Sequence, residues 1–121
     1  MVPKEIKAEI VGMSFGDGSL TKRKTRNKLR YQLRGDSSQD REHFDTFIIP
    51  TFNKYIGIPF FGRNVSVVES KKSHRSYGIS IESNTVCNEL KLWGIPEGVK
   101  DELHIPDWIN SKTLKINFLR G

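Results

Sequence analysis

A helix with glycines in its interior constrains what can lie beside it. Residues 3–15 predict such a helix: Pro3 suits a first turn, where its missing N–H leaves no bond unmade. Ile6, Ile10 and Met13 recur at helical spacing on one face. Ala8, Gly12 and Gly16 recur at i, i+4 and i+8 on another. An interior glycine costs a helix about 1 kcal/mol relative to alanine. Aligned with an alanine, two of them make a side-chain-free stripe that admits a second backbone. Gly16 or Gly18 can also serve as a C-terminal cap, a role that leaves Gly12 unexplained. The stretch ends on one carboxylate, Asp17. Seven basic residues follow (Lys22, Arg23, Lys24, Arg26, Lys28, Arg30 and Arg34), with no acid between Gly18 and Gly35.

The charge balance points the same way. The chain carries a net charge of +6 over 121 residues, which favours a polyanionic partner over an acidic protein. Residues 1–121 are read as a single domain. No apolar run approaches the roughly 18 residues of a membrane span. The N-terminal Met-Val-Pro-Lys-Glu lacks a signal-peptide core, and Cys87 is the lone cysteine, which excludes an internal disulfide and a cysteine-based zinc site. The expectation is an intracellular protein, cytoplasmic or in an organelle.

Alternation of Leu29, Tyr31 and Leu33 with Lys28, Arg30, Gln32 and Arg34 predicts a strand with one apolar and one cationic face. It pairs with a strand beginning at Leu20, and Arg26 and Asn27 fall near the turn. For the first strand, the choice between Lys22 with Lys24 and Arg23 with Thr25 as the outward set is open. Counting from Leu20 as core turns Thr21, Arg23 and Thr25 outward. Phe44, Phe47, Ile48, Tyr55 and Ile56 give a helical face, broken or kinked at Pro50 and stopped by Gly57. A second hairpin follows, Val65 and Val67 against Tyr77, Ile79 and Ile81, joined by the basic loop of Lys71, Lys72, His74 and Arg75. Asn84 is expected to cap a helix carrying Val86, Leu90 and Trp93, which Gly94 ends. Segments 105–109 and 114–119 close the chain. Helix plus two strands, nearly repeated, predicts an α+β fold: one four-stranded antiparallel sheet backed by helices on one face, with the other face free, concave and cationic. A β-ribbon of that kind can enter a DNA major groove.

Ile10-Val11-Gly12-Met13-Ser14-Phe15-Gly16-Asp17-Gly18 resembles the motif that names the LAGLIDADG homing endonucleases. The following Ser-Leu, the basic hairpin and the element order extend the resemblance over essentially the whole chain. Ile105-Pro106-Asp107-Trp108-Ile109 with Phe118-Leu119-Arg120-Gly121 is similar to the segment leading into the second motif of two-repeat members. The resemblance implies an αββαββα half-saddle, two of which pack through their motif helices. Ala8, Gly12, Met13 and Gly16 then line a homodimer interface. Asp17 matches the metal-binding aspartate, with the Gly16 carbonyl as a neighbouring ligand for Mg²⁺ or another divalent cation. Phe15 stands at the motif's earlier acidic position. Lys100 falls where the family commonly keeps a catalytic lysine, and Gln32 where strand residues contact bases or position water.

The expected activity is sequence-specific cleavage of double-stranded DNA, with Mg²⁺-dependent phosphodiester hydrolysis by paired motif aspartates. Mg²⁺ binds few carboxylates and keeps waters and phosphate oxygens, so one aspartate from each half suffices. The expected DNA contacts are Arg23, Thr25, Arg26, Asn27, Lys28, Arg30, Gln32, Arg34, Lys71, Lys72 and Arg75. The alternatives are a non-cleaving DNA- or RNA-binding module of the same fold, such as a maturase or regulator, and one half of a longer two-repeat nuclease. His43, His74 and His104 show no metal-ligand spacing.

Overall fold

A computed structural model of the chain describes residues 2–23, 27–71, 75–98 and 103–120. Helix α1 (Lys4–Asp17) leads directly into strand β1 (Gly18–Arg23), which pairs with β2 (Lys28–Asp36). A long helical segment, α2, follows in four consecutive pieces: Arg41–His43, Phe44–Ile48, Ile49–Phe52 and Asn53–Phe61. Strands β3 (Ser66–Ser70) and β4 (Ser76–Glu82), then helices α3 (Asn84–Trp93) and α4 (Lys112–Arg120), complete the chain. The sheet is antiparallel, in the order β1-β2-β4-β3. The fold class is therefore α+β, as the element order implied.

Register divides the sheet cleanly. Gly18, Leu20 and Lys22 lie opposite Leu33, Tyr31 and Leu29. Tyr31, Leu33 and Gly35 lie opposite Ile81, Ile79 and Tyr77. Residues directly opposite one another share a face, so this set faces the helices. There it packs with Ile10, Val11, Phe52, Ile56 and Leu90, all of them buried. Cys87 is part of the same core, a small buried filler.

Helix α1 runs two residues beyond expectation. Gly16 is inside it, and Gly18, in extended rather than left-handed conformation, returns its N–H to the Ser14 carbonyl. Neither glycine is a left-handed cap. Gly12 has a packing role. A Cβ built there would collide with the backbone of Phe118 on α4, and Phe15 meets the Phe118 ring edge-on at 5.3 Å. The second backbone admitted by the stripe is thus the chain's own C-terminal helix. The surface at Gly12 expected to meet a second subunit is covered here by α4, and Ala8 and Met13 are buried within the chain. A Cβ at Gly16 would meet open space. Beneath the motif, Ser14 Oγ donates to the Ile10 carbonyl at 2.7 Å and lies 2.6 Å from the Tyr31 hydroxyl. That buried pair ties α1 to β2.

The α2 segment also differs from expectation. Neither Pro50 nor Gly57 ends it: it continues to Phe61 and stops at Gly62, which is left-handed with φ +69°. Two stretches, Phe44–Ile48 and Asn53–Phe61, are wound as wide π turns. A wider ladder accommodates the missing donor of Pro59, while Pro50 stands in the first turn of the α-helical piece between the two wide stretches. Gly57 serves close packing instead, since a Cβ there would meet the Arg63 carbonyl and Val65 N. The Tyr77 hydroxyl, donating to Asp45, and the Arg41–Glu69 ion pair fasten α2 to β3 and β4. Ser83, not Asn84, caps α3, by accepting from Val86 N at 3.3 Å. Asn84 Oδ1 accepts instead from Leu29 N at 2.7 Å, joining α3 to the first hairpin. Gly94, at φ +112°, ends α3 as anticipated.

The two motif glycines should respond oppositely to the same change. Gly12→Ala is expected to destabilise the fold by about 2 kcal/mol in urea unfolding through overpacking against α4. Gly16→Ala is expected to stabilise it by about 0.5–1 kcal/mol. Burial pushes the Tyr31 hydroxyl well above its ordinary value of 10. The folded state therefore favours the neutral phenol. The contribution is full below pH 10 and is lost as pH rises beyond it, where only the unfolded chain ionises. The alkaline decline of stability is expected to be shallower in Tyr31→Phe than in wild type, as read by urea midpoints between pH 8 and 11.

Candidate nucleic-acid interface and acidic site

The sheet face turned away from the helices is assembled by alternation. Ser19, Thr21 and Arg23 of β1 lie opposite Gln32, Arg30 and Lys28 of β2. Arg30, Gln32, Arg34 and Asp36 lie opposite Glu82, Ser80, Gly78 and Ser76 of β4. Ser80, Gly78 and Ser76 in turn face Ser66, Val68 and Ser70 of β3. Arg23, Lys28, Arg30, Gln32 and Arg34 consequently share one surface. The register left open on the first strand resolves in favour of Arg23, with Lys22 on the helix side.

This face is not uniformly cationic. Arg23 Nη1 donates to Glu82 Oε2 at 2.7 Å. Arg34 Nη1 donates to Ser76 Oγ at 3.0 Å, and Gln32 Nε2 approaches Ser80 Oγ at 3.5 Å. The Nε atoms of Arg30 and Arg34 are out of solvent and have no partner among the described residues. Each guanidinium therefore has a donor that no described residue satisfies, which in a buried setting calls for an acceptor. Asp36, at the end of β2, accepts from Ser38 N, Ser38 Oγ and Gln39 N, bonds that hold its carboxyl below the usual range. Sequence alternation located the arginines. It did not single out Ser19, Ser66, Ser76, Ser80 or Glu82, because serines in strands carry no signal and Glu82 belongs to a distant hairpin.

Of the other expected contacts, Asn27 sits exposed in the first hairpin's turn at φ +51°. Lys71 and Arg75 are exposed on either side of the second hairpin's loop. Thr25, Arg26 and Lys72 lie outside the described residues, as does His74.

Asp17 stands where α1 passes into β1, one residue before the sheet begins. Its carboxylate is exposed and makes no hydrogen bond or ion pair among the described residues. Asp17 and Gly16 open onto a cleft of about 230 Å³ that also takes Asp40, His43 and Arg120, over a floor of Met13, Leu33, Phe44 and Ile48. Arg120 and His43 oppose the upward push that burial exerts on the Glu9 carboxyl nearby. Asp40 Oδ2 accepts from Asp36 N at 2.7 Å. Among the described residues, no three His, Cys, Asp or Glu side chains come together in a way that would hold a metal. Asp17 and Gly16, the residues expected to hold a divalent cation, lie side by side on that cleft. Lys100 lies outside the described residues. Gly98, left-handed at φ +82°, donates its N–H to the Leu20 carbonyl of β1 at 2.7 Å. Trp93 is buried and accepts the Trp108 indole N–H at its carbonyl, so both tryptophans serve packing. No helix among the described residues is long and apolar enough to cross a membrane.

No family model matches this chain, and no curated protein matches it in sequence. Solved structures match its fold. A doubly substituted variant of I-DmoI, in complex with its target DNA nicked in the coding strand and in the presence of 2 mM Mn, aligns with a TM-score of 0.63 at 16% identity, over 96% of this chain and 57% of that one. A mesophilic variant from the homing endonuclease I-DmoI aligns with a TM-score of 0.56 at 16% identity, over 74% of this chain and 46% of that one. The chain spans about half the length of the structures it matches. What is shared is architecture: a four-stranded antiparallel sheet backed by four helices, in the fold of the LAGLIDADG homing endonucleases.

Proposed function

We propose that this chain is one half of a duplex-DNA endonuclease that acts inside the cell. In this reading the helix-free sheet face receives DNA, and Asp17 contributes one carboxylate to a divalent-metal centre. The observation that carries it is the joint placement of Arg23, Lys28, Arg30, Gln32 and Arg34 on one open face, with Asp17 at the point where α1 enters that sheet. The likeness in fold to a protein solved on its target DNA in the presence of Mn supports the same reading.

Lys28 positions the phosphate backbone, while Arg30, Gln32 and Arg34 of β2 present planar donors to base edges. Asp17 and the Gly16 carbonyl would hold Mg²⁺ or another divalent cation. When bound, such a cation activates water as a nucleophile and stabilises the leaving oxygen. Lys100 would add positive charge near the reacting phosphate. The second acid must come from a second repeat or a second copy. Occupation of the Gly12 face by α4 favours a second repeat, since a homodimer through that face requires α4 to leave. The same occupation supports a second reading, a DNA-binding module that does not cleave on its own.

Three measurements test this. Sedimentation equilibrium at about 200 mM salt is expected to give a monomer; a dimer would assign the second acid to a second copy. Binding to duplex DNA is expected to weaken with salt, each phosphate contact adding about −0.9 to the log–log slope. Lys28→Gln should flatten the slope by about that amount. On a duplex selected from a random library, metal-dependent nicking or cutting is expected to fall at least 100-fold, or about 2.7 kcal/mol, in Asp17→Asn, with binding retained. Cleavage that survives this substitution removes Asp17 from the metal centre. Binding by wild type with no cleavage at all favours the second reading.

A further inference from the structure

Among the described residues, two acids lie on the face read as the DNA surface. Asp36 sits at the end of β2 and is engaged by its own turn. Glu82 sits inside the arginine cluster. It lies directly across from Arg30 on β4, yet its 2.7 Å ion pair is with Arg23, two strands away on β1. The Arg23 side chain therefore crosses β2 to reach it. Both partners are shielded, the Glu82 side chain being 23% and the Arg23 side chain 36% exposed. Beneath this bridge, Arg30 Nε has no partner among the described residues. Glu82 also borders a notch beyond the end of β3 that Arg63 shares.

A carboxylate among arginines opposes phosphate binding. On a surface built only to hold DNA it would be a defect. Its geometry suits a different task. A guanidinium has five donors in a rigid planar fork. A carboxylate that takes one part of the fork fixes the plane and leaves the remaining donors for another acceptor pair. The O6 and N7 of guanine in the major groove form such a pair. Fixing the side chain beforehand removes ordering cost on binding, and the negative charge penalises arrangements in which Arg23 drifts to the backbone.

We infer that Glu82 is a positioning residue for base recognition: it holds Arg23 in the plane that reads a guanine and keeps it from serving as a general phosphate contact. The inference rests on the DNA-binding reading above. It predicts that losing the carboxylate makes the protein a tighter and less selective DNA binder.

The test is selection from a random duplex library with wild type, Glu82→Gln, Arg23→Gln and the double variant, together with affinity for an unselected duplex at several salt concentrations. Wild type is expected to enrich a sequence with a guanine at a defined position. Glu82→Gln is expected to lose that preference, to bind unselected duplex about three- to tenfold more tightly, and to steepen the salt slope by about 0.9 as Arg23 gains a phosphate. Arg23→Gln should lose the same preference without the gain, and adding Glu82→Gln to it should change the preference no further. An unchanged preference in Glu82→Gln overturns the inference while leaving DNA binding intact. So does equal weakening on all sequences, the signature of a bridge that only staples β1 to β4. Failure of wild type to bind any duplex overturns the DNA-binding reading and this inference with it. Circular dichroism and urea midpoints of each variant separate these outcomes from unfolding.

Discussion

Backbone contact between α1 and α4 at Gly12 is the constraint on which the rest of the molecule depends. Side chains ordinarily hold helices 8–10 Å apart; a helix with no side chain at the crossing permits closer approach. Phe118 presents its backbone to Gly12 and its ring to Phe15, so one short segment of α4 is fixed at two points. Two residues on, Ser14 and Tyr31 pin α1 to the sheet through a buried pair of hydroxyls. Helix pair and sheet are thereby locked at the end of α1 where Asp17 emerges. The exposed Asp17 carboxylate is thereby carried on a fixed helix end.

The charged face shows how a strand's alternation is converted into a surface with internal organisation. Core demand at Leu29, Tyr31 and Leu33 turns Lys28, Arg30, Gln32 and Arg34 outward. Antiparallel pairing then brings hydroxyls and a carboxylate alongside them. Ser76, Ser80 and Glu82 convert a row of repelling cations into one in which some guanidinium edges are engaged and others remain to bind. Net charge governs how strongly such a surface attracts a polyanion; the arrangement of its partners governs what it distinguishes.

Features carried by local pattern were legible in the sequence. Helix α1, both hairpins, the Gly94 stop and the outward arginines follow from spacing and turn chemistry, and the αββαββα order follows from them. Features set by distant partners were not. The occupant of the Gly12 stripe is Phe118, more than a hundred residues away. The cap of α3 moved to Ser83 because Asn84 is engaged by Leu29. Pro50 and Gly57 carry helix-stop signals, but α2 passes both because burial of Phe52 and Ile56 outweighs the missing donor of Pro50 and the backbone freedom of Gly57. At the candidate site the sequence yielded Asp17 and Gly16. It was silent on Asp40, His43 and Arg120, which reach the same cleft from two other elements.

The wide turns of α2 have a geometric result. Its buried residues, Phe44, Ile48, Phe52 and Ile56, are spaced by fours. In a helix of 3.6 residues per turn, a four-residue step drifts about 40° around the axis, so such a row would spiral off the sheet within three steps. Wide turns take more residues each and drift the other way. Alternating the two windings straightens the row into a ridge lying along the sheet for the length of the segment. A sequence that repeats every four residues has thus found a helix with a matching pitch, and a single-residue deletion within α2 would turn half of that ridge away from the core.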